Sequence, residues 1–312
     1  MAIIKSTYFP YTFFKGKIVK TTEANVPIMT NAIQYGTGVF GGLRGYYNER
    51  EKYLCVFRID DHYKRFLSSL HIIGTHIGYS APELKKITLD LIKKNKPRTD
   101  TYMRPFAYAG STNLSPNLER DAQFDFALYM MPLGEYLSVE KGLSVMVSSW
   151  RRISDNAIPP RGKISGSYIN SALARKEATE RGFDEAILLT QDGHVSEGSA
   201  ENIFIVRDGI LITPSATDDA LEGITRRTIL QLAKDLGIPT EIRSVDRTEL
   251  YIADEAFFSG TGVQVAWIAK VDDRTVGDAK RGPVTKQLQD LFFSIVRGEE
   301  PRYGAWCTKI KV

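Results

Sequence analysis

A change of pattern near residue 143 is the feature that most limits the folds open to this chain. From Leu143 onward, short apolar runs typical of strands alternate with amphipathic helical segments, and Gly and Asp-Gly turn signals separate them. The preceding part is β-rich with two helical patterns. Because 312 residues exceed the usual size of one compact core, we predict an α+β protein. Its small N-terminal domain is residues 1–132, a loop covers 133–143, and a larger C-terminal domain covers 144–312.

Local signals locate several elements. In the first domain they predict a hairpin around Lys15-Gly16-Lys17, a buried strand in YLCVFRI that includes Arg58, and helices in DDHYKRFLSSLHIIG and PELKKITLDLIKKN. In the second domain they predict strands in SVMVSSW and AILLT, a helix in SYINSALARKEATERG closed by Gly182, a turn at Asp208-Gly209 between NIFIV and ILITP, and a helix from about Thr225 to Leu236.

Composition excludes several classes of protein. A hydrophobic content of 43% and a charged content of 25% are ordinary for a soluble globular protein. The net charge of +4 is spread along the chain, which argues against a nucleic-acid partner. No apolar run approaches the roughly 20 residues that span a bilayer, and the start of the chain lacks a signal-peptide pattern. We therefore expect no membrane partner and a cytoplasmic location.

The two cysteines, Cys55 and Cys307, lie far apart in the sequence and have no CxxC or Cys/His metal spacing. This spacing indicates neither a disulfide framework nor a zinc site, so inert thiols and no bound metal are expected.

One lysine lies in an unusual setting, the stretch IPPRGKISGSYIN. Two prolines and Gly162 precede Lys163, and Gly166 follows it, so the backbone is constrained on one side and free to turn sharply on the other. A solvated loop lysine is one interpretation. The other is a Schiff-base lysine, whose amine becomes nucleophilic when desolvation or nearby positive charge favours its neutral form.

A second cluster, VSEGSAENIF, places Glu197 and Glu201 among small residues between two apolar strands. Acids in a turn are commonly exposed to solvent. A carboxylate held against a pyridine nitrogen would instead keep that ring protonated, which pyridoxal phosphate chemistry requires.

Three further places suit an anion. The helix that opens at Gly223-Ile224-Thr225 offers unpaired backbone N–H groups. The turn in FFSGTGVQV adds hydroxyl and N–H donors, including those of Thr261. Arg58, in an otherwise apolar strand pattern, requires an anionic partner. A phosphate would satisfy all three.

Taken together and in this order, these signals closely resemble the fold type IV pyridoxal-phosphate enzymes, and within them the branched-chain-amino-acid aminotransferases. The resemblance is carried by motifs that run from about Tyr35 to Lys286: YGTGVFGGLRGY, VFRIDDHYKRF, YMRP, SSWRRISDNAIP, KISGSYINSALA, GFDEAILL, VSEGSAENIF, EGITRRTIL, DEAFFSGT and GPVTK. It implies a small α/β domain and a larger β-barrel-like domain with flanking helices, which binds pyridoxal 5'-phosphate.

The resemblance also implies roles for individual residues. Lys163 would be the catalytic Schiff-base lysine that moves the proton between the substrate Cα and the cofactor. The other cofactor-binding residues would be Tyr168 at the phenolic oxygen, Glu197 at the pyridine nitrogen, and Arg58, Ile224, Thr225 and Thr261 at the phosphate. Glu201 matches a family acid whose role is equally well structural.

Substrate recognition is implied in the same way. Tyr35, Phe40 and Tyr136 match the aromatic walls of the side-chain pocket. Tyr102 and the Thr261-Gly262 turn match groups that hold the α-carboxylate, and Arg104 matches the arginine that receives the distal carboxylate of glutamate or 2-oxoglutarate. The implied reaction is ping-pong transamination between Leu, Ile or Val and 2-oxoglutarate, in a homodimer or higher homo-oligomer. The neighbouring subunit would contribute residues near Tyr35 and in the loop from Ser111 to Pro116.

Three departures from the family pattern concern the substrate pocket. Many relatives have Phe-Glu-Gly where this chain has Phe40-Gly41-Gly42, and they often carry tryptophan where it has Leu133. The predicted neighbour-subunit loop reads Asn113-Leu114-Ser115-Pro116 in place of a run rich in glycine and methionine. A smaller side chain at position 133 leaves more room, so we hypothesise tolerance for bulky or aromatic substrates.

Other functions remain open from the sequence. D-amino-acid aminotransferase, (R)-amine transaminase and aminodeoxychorismate lyase would retain Lys163, Glu197 and the phosphate-binding residues, although Tyr102-Met103-Arg104 favours the branched-chain interpretation. A non-catalytic cofactor-binding protein is an alternative from a different class, but it would not need all of the catalytic residues.

Overall fold

The computed structural model describes residues 8–119 and 122–312. In chain order the strands are β1 (Tyr11–Phe14), β2 (Lys17–Lys20), β3 (Gly38–Phe40), β4 (Leu43–Asn48), β5 (Tyr53–Phe57), β6 (Thr75–His76), β7 (Thr101–Tyr108), β8 (Ala122–Gln123), β9 (Asp125–Pro132), β10 (Leu143–Arg151), β11 (Glu185–Leu189), β12 (Val195–Gly198), β13 (Asn202–Arg207), β14 (Ile210–Thr213), β15 (Thr240–Ile242), β16 (Glu255–Gly260), β17 (Gln264–Val271), β18 (Arg274–Thr275) and β19 (Cys307–Lys311). The α-helices are α1 (Asn31–Tyr35), α2 (Ile59–Ile72), α3 (Ala81–Asn95), α4 (Tyr168–Glu180), α5 (Ile224–Asp235) and α6 (Pro283–Val296).

The chain divides into two compact units. Unit 1 contains the described residues up to Gly134, together with Gly162–Gly166 and Ser294–Val312. Unit 2 contains Glu135–Arg161 and Ser167–Phe293. Two segments from the second half of the chain thus belong with unit 1. The mixture of helices and sheets in both units agrees with the predicted α+β class.

Unit 1 is built on a mainly antiparallel sheet with the strand order β19-β5-β4-β7-β9-β1-β2, and β3 pairs with β7. The predicted hairpin is confirmed, since Phe14 pairs with Lys17 and the two turn residues, Lys15 and Gly16, both have positive φ. Strand β7 pairs with β9 along its whole length, from Thr101 opposite Pro132 to Tyr108 opposite Asp125. Alternate residues of β7 and β9 are buried, as expected for strands with one covered face.

The two predicted helices of unit 1 are confirmed as α2 and α3. Helix α2 ends just before Gly74, which has a φ of 67°. Helix α3 begins with a capping box, in which the Ser80 side chain accepts the backbone N–H of Glu83 and the Glu83 carboxylate accepts the N–H of Ser80. The buried faces of the helices meet at a hydrogen bond between the Tyr63 and Thr88 hydroxyls.

The expectation of two unpaired thiols is wrong. Cys55 on β5 and Cys307 on β19 form a disulfide across 252 residues of sequence, with their Cα atoms 5.4 Å apart. The strands are antiparallel neighbours, with Lys309 opposite Cys55 and Cys307 opposite Phe57, so the two cysteines are brought together by strand pairing. Sequence distance therefore carried no information about their separation.

Unit 2 is built on a sheet with the strand order β12-β11-β10-β17-β16-β13-β14-β15, and β18 pairs with β17 in antiparallel orientation. Strand β10 is parallel to both β11 and β17, whereas β13, β16 and β17 are antiparallel neighbours. Its core is composed mainly of aliphatic side chains from these strands, including Val145, Ile187, Ile205, Phe258 and Ile268. All five are at most 2% exposed, which explains why their strands appear in the sequence as continuous apolar runs.

The predicted elements of unit 2 are also confirmed. Helix α4 is followed by Gly182 and α5 by Gly237, and both glycines have positive φ, which ends each helix in the left-handed conformation. The turn between β13 and β14 uses Asp208 and Gly209, with φ values of 50° and 76°. In the described part of the chain, no helix is long and apolar enough to cross a membrane.

Candidate functional site

The residues predicted for function divide between the two units. Unit 1 holds Tyr35, Phe40, Arg58, Tyr102, Arg104 and Lys163, and unit 2 holds Tyr136, Tyr168, Glu197, Glu201, Ile224, Thr225, Thr261 and Gly262. Within residues 8–119 and 122–312, no group of three or more His, Cys, Asp or Glu side chains is arranged to hold a metal ion.

The backbone of Lys163 is held by hydrogen bonds to strand β3 and to helix α2. Its carbonyl oxygen accepts the N–H of Phe40 at 3.0 Å, and its own N–H donates to the Ser69 hydroxyl at 3.2 Å. Two residues further on, Ser165 precedes Gly166, whose N–H donates to the Gly36 carbonyl oxygen at 3.1 Å. The lysine is therefore fixed at both sides, which a freely solvated loop lysine would not be.

The close approach of Gly36 to Gly166 explains the glycine at position 36. A Cβ on Gly36 would lie 2.9 Å from the Cα of Gly166, and Gly36 has a φ of 68°. Only glycine satisfies both conditions without displacing the backbone next to Lys163. Tyr35, directly before this glycine, ends α1 and is 38% exposed.

Two cationic side chains contact the ring of Phe40. The Lys163 Nζ atom lies 5.1 Å from the ring centroid, and the Arg104 guanidinium lies 4.4 Å from it. Arg104 also donates from Nη2 to the Tyr102 hydroxyl at 2.9 Å. Lysine, phenylalanine, arginine and tyrosine therefore form one connected cluster within unit 1, which gathers four of the residues predicted from the sequence.

The departure at Gly41, and the glycine at position 42 that the relatives share, each have a steric reason. A Cβ at Gly41 would lie 2.6 Å from Pro105, and a Cβ at Gly42 would collide with the Tyr102 hydroxyl. Glycine at position 42 therefore makes the space that the phenol occupies beside Arg104. The glutamate that many relatives carry at position 41 would require Pro105 to move.

Arg58 is not part of a strand, contrary to the prediction. Strand β5 ends at Phe57, and Arg58 adopts the left-handed conformation (φ 46°, ψ 43°) as the residue before α2. Its Nε donates to Asp61 at 2.7 Å, and its guanidinium lies 4.8 Å from the centroid of the Trp306 ring. A non-glycine residue in this conformation is uncommon, and it persists only where surrounding contacts hold it.

In unit 2, Glu197 is a buried carboxylate with charged and polar partners. Arg152 Nη2 lies 2.7 Å from Oε1, and Oε2 accepts the Asn202 amide at 2.9 Å and the Leu221 N–H at 3.1 Å. The arginine and the glutamate are 7% and 4% exposed. A buried charge requires such partners, and Glu197 has one cation and two hydrogen-bond donors.

The start of α5 has no side-chain cap. Gly223 precedes the helix and has no side chain with which to cap it, and Ile224 and Thr225 of the first turn are buried. A Cβ on Gly223 would collide with the Asn202 amide oxygen, and Asn202 is itself fixed by Glu197. Gly223 therefore contributes no side-chain cap to the first-turn N–H groups. A phosphate-binding helix requires such an uncapped first turn.

The second predicted anion-binding turn joins β16 to β17. Thr261 and Gly262 are half-buried in a three-residue connection that Gln264 closes with a φ of 63°. A Cβ on Gly262 would lie 3.8 Å from the Tyr136 ring, and that ring also contacts Arg175, whose guanidinium is 4.7 Å from the ring centroid. Tyr136 is thus held beside the turn.

Tyr168 is the first residue of α4 and is half-buried. A short 3₁₀ helix, Ser165–Ser167, leads directly into it.

Glu201 lies in a buried group of acids rather than at a solvent-exposed turn. Burial, and then the neighbouring Glu185 carboxyl, raise the pKa of Glu201 well above its usual range. Glu185 is fully buried and lies 3.5 Å from Arg175. Burial and the adjacent carboxyl therefore disfavour the ionised form of Glu201, which supports a structural role for this residue.

Sequence reasoning missed two residues that contact the predicted ones, Arg152 and Trp306. Arg152 stands in the quoted motif SSWRRISDNAIP, where a charged residue directly after an apolar strand was the available signal. Trp306 lies almost 250 residues after Arg58, and no sequence pattern links the two.

Comparison with known proteins identifies the family. A model of the amino-transferase class IV family matches residues 38–271. The probable branched-chain-amino-acid aminotransferase of Aquifex aeolicus is 45% identical over 309 residues, which cover 99% of this chain and 99% of that protein.

Solved structures agree. The branched-chain aminotransferase from Thermoproteus uzoniensis with norvaline has a TM-score of 0.92 and 41% identity, covering 97% of this chain and 99% of that one. The branched-chain amino acid aminotransferase from Thermobaculum terrenum in its PLP-form has a TM-score of 0.92 and 37% identity, covering 97% of this chain and 98% of that one. The resemblance and the fold predicted from the sequence are confirmed, and the chain belongs to the amino-transferase class IV family.

Proposed function

We propose that the protein is a pyridoxal-phosphate-dependent branched-chain-amino-acid aminotransferase. It would exchange an amino group between Leu, Ile or Val and 2-oxoglutarate, giving 2-oxo acids and L-glutamate. The observation that carries this proposal is the buried Glu197 carboxyl group, which Arg152 and Asn202 hold in place. The names of the relatives from Aquifex aeolicus and Thermoproteus uzoniensis support the same reaction.

The residues present fit the cofactor. Pyridoxal phosphate, when bound, supplies an aldehyde and a protonated pyridine ring that withdraws electrons from the substrate Cα. Glu197 suits the ring nitrogen because a fixed carboxylate favours the protonated form. The start of α5 at Ile224 and Thr225 suits the phosphate, as do Arg58 and Thr261. We propose Tyr168 as the hydrogen-bond donor to the phenolic oxygen.

Lys163 is the proposed catalytic residue. Its amine would hold the cofactor and, once released by substrate, move the proton from the substrate Cα to the cofactor. The backbone bonds to Phe40 and Ser69 fix the position from which its side chain extends.

The cluster of Lys163, Phe40, Arg104 and Tyr102 in unit 1 supports the proposal that the enzyme accepts both acidic and branched apolar side chains. Arg104 would receive the distal carboxylate of glutamate or 2-oxoglutarate, while Phe40 offers an apolar surface to a branched side chain, worth about 0.8 kcal/mol for each buried methylene. Tyr102, which Arg104 holds in place, would bind the α-carboxylate together with N–H groups of the Thr261-Gly262 turn.

Tyr35 and Tyr136 are the remaining proposed pocket walls. We propose that Tyr35 reaches the pocket of a neighbouring subunit, together with the loop Ser111 to Pro116, so that the active form is at least a homodimer. The exposed side chains of Ile33 and Leu114, at 55% and 86%, support burial by a second copy.

We place the enzyme in the cytoplasm. A structural disulfide is rare in the cytosol of mesophiles but common among intracellular proteins of hyperthermophiles. The Cys55–Cys307 disulfide is therefore compatible with this location in a heat-adapted organism.

We also propose tolerance for bulky or aromatic substrates, because Leu133 stands where relatives often carry tryptophan. Steady-state rates with Leu, Phe and a bulky chiral amine test this. Reaction of the small branched acids alone would exclude it.

The decisive experiment is a half-reaction panel. L-amino acids, D-amino acids and (R)-amines are added in turn to the holoenzyme, and the absorbance of the bound cofactor is followed. Conversion by L-leucine and L-glutamate supports the proposal, whereas conversion by D-amino acids or (R)-amines alone favours the other fold type IV activities, and pyruvate release from aminodeoxychorismate favours the lyase.

A matched pair of lysine variants provides the control. Lys163→Ala should abolish every half-reaction, while Lys176→Ala, which removes an exposed lysine on α4, should leave them unchanged. Transamination that survives in Lys163→Ala would exclude the proposed catalytic role.

A further inference from the structure

Arg58, the residue proposed at the cofactor phosphate, is held by more than its own helix. Its left-handed backbone (φ 46°) is an energetically unfavourable conformation for a residue with a side chain. Such a conformation persists where surrounding contacts over-determine it. The contacts that do so come from the C-terminal segment of unit 1.

Trp306 contacts Arg58 at both ends. Its carbonyl oxygen accepts the Arg58 backbone N–H at 2.7 Å, and its ring lies 4.8 Å from the guanidinium carbon. One residue therefore stabilises the unusual backbone and directs the charged end of the same side chain. The Arg58 side chain is only 11% exposed, so this contact is shielded from solvent.

The indole and Asp61 act on the guanidinium in different ways. Asp61 accepts from Arg58 Nε at 2.7 Å, but its negative charge repels a phosphate nearby. The face of an aromatic ring attracts a guanidinium without neutralising its charge. Trp306 can therefore orient the arginine and leave its charge available to an anion.

Trp306 is itself fixed in unit 1. Its ring lies 4.8 Å from that of Tyr303 and 6.3 Å from that of Phe57, centroid to centroid. The next residue begins β19, which pairs with β5 and is linked to it by the Cys55–Cys307 disulfide. These contacts join the tryptophan to the strand that ends immediately before Arg58.

We propose that Trp306 is a positioning residue for phosphate binding: it holds Arg58 in the conformation in which its guanidinium binds the 5'-phosphate of the cofactor. This inference rests on the proposed function, and it adds to it a residue from the C-terminal segment that binds no ligand itself.

The test is equilibrium dialysis of the holoenzyme against defined concentrations of pyridoxal phosphate. Trp306→Ala should weaken cofactor affinity about fivefold to thirtyfold, the range expected for a desolvated cation–aromatic contact. Trp306→Phe, which retains a ring, should recover most of that loss, and Trp306→Leu, which retains bulk alone, should not. The comparison of Phe with Leu decides the question if the alanine variant does not fold.

Two further arms separate positioning from general destabilisation. In an Arg58→Met background, Trp306→Ala should cause no additional loss of affinity. Pyridoxal, which lacks the phosphate, should bind Trp306→Ala and wild-type protein equally. Lys309→Ala is the matched control, because it removes a cation–aromatic contact to Tyr53 on the same pair of strands, 4.6 Å from the ring centroid, and should not change affinity.

The outcomes are distinguishable. Wild-type protein that does not bind pyridoxal phosphate would overturn the proposed function. Normal affinity in Trp306→Ala, or an equal loss in the Arg58→Met background or for pyridoxal, would overturn the role of Trp306 alone.

Discussion

Replacing Glu197 by glutamine separates the stability of its buried ion pair from its proposed chemistry. Arg152 Nη2 and Glu197 Oε1 are 2.7 Å apart, and both residues are less than 10% exposed. A glutamine offers one oxygen and one NH2, whereas Arg152, Asn202 and the Leu221 N–H all donate toward this position. Whichever way the amide turns, a donor faces a donor.

The expected cost follows from the burial of the pair. Removing one partner of a buried ion pair leaves an uncompensated charge and costs about 3–5 kcal/mol, while removing both partners is close to neutral. For units of this size, that single-variant loss corresponds to a fall in Tm of about 6 to 20 °C. The double variant Arg152→Met with Glu197→Gln should recover most of it.

Urea and thermal unfolding of the cofactor-free protein measure the stability part, because only the side-chain pair then differs between variants. Transamination of L-leucine with 2-oxoglutarate measures the chemistry. We expect the double variant to regain stability but to remain about 100-fold or more below wild-type activity, since no carboxylate faces the ring nitrogen.

Two results would contradict this prediction. A coupling energy below about 0.5 kcal/mol in the double-mutant cycle would show that Arg152 and Glu197 do not stabilise each other. Full activity in Glu197→Gln would show that the carboxylate has no part in the reaction.

Three other predictions test different parts of the molecule. Gly42→Ala places a methyl group on the Tyr102 hydroxyl, so we expect KM for 2-oxoglutarate to rise about tenfold in steady-state assays with little change in Tm; an unchanged KM would contradict the steric argument. Burial raises the pKa of Glu201 in the folded state, so wild-type stability falls as the pH rises above the unfolded-state pKa. Glu201→Gln does not ionise, so its Tm should rise relative to that of wild type in scans from about pH 5 to 9. A Tm difference that stays constant with pH would contradict this prediction. Hydrogen bonds from Arg243 lower the pKa of Glu249 to about 2, so the ionised carboxylate stabilises the fold above its unfolded pKa of 4.5. The loss of stability in Glu249→Gln should therefore disappear as the pH falls from 4.5 to 2. A loss of stability that persists at pH 2 would contradict this prediction.

Local structure was largely predictable because its causes are local. Gly182 and Gly237 end helices α4 and α5 through their own backbone conformation. The Lys15-Gly16 turn similarly produces its hairpin without help from distant residues. The resemblance added residue roles that periodicity could not supply, such as those of Tyr168 and Thr261, and these roles remain proposals.

Errors arose where a distant segment sets the conformation. Arg58 lies between an apolar run and the predicted helix at Asp60, and no local signal shows that the strand stops at Phe57 and not one or two residues later. The left-handed turn at Arg58 depends on a carbonyl of Trp306, and the pairing of Cys55 with Cys307 depends on the same C-terminal strand. Propensity is a weak guide when tertiary contacts oppose it.

The elements, the family and the types of residue needed for the chemistry could thus be predicted from the amino-acid order, because turns, helix ends and apolar periodicity act over a few residues. The pairing of Arg152 with Glu197, the shared burial of Glu201 and Glu185, and the place of Gly162–Gly166 in unit 1 became visible in the folded chain. These relations depend on strand pairing and on the exclusion of water from buried charges, and both arise only after the chain has folded.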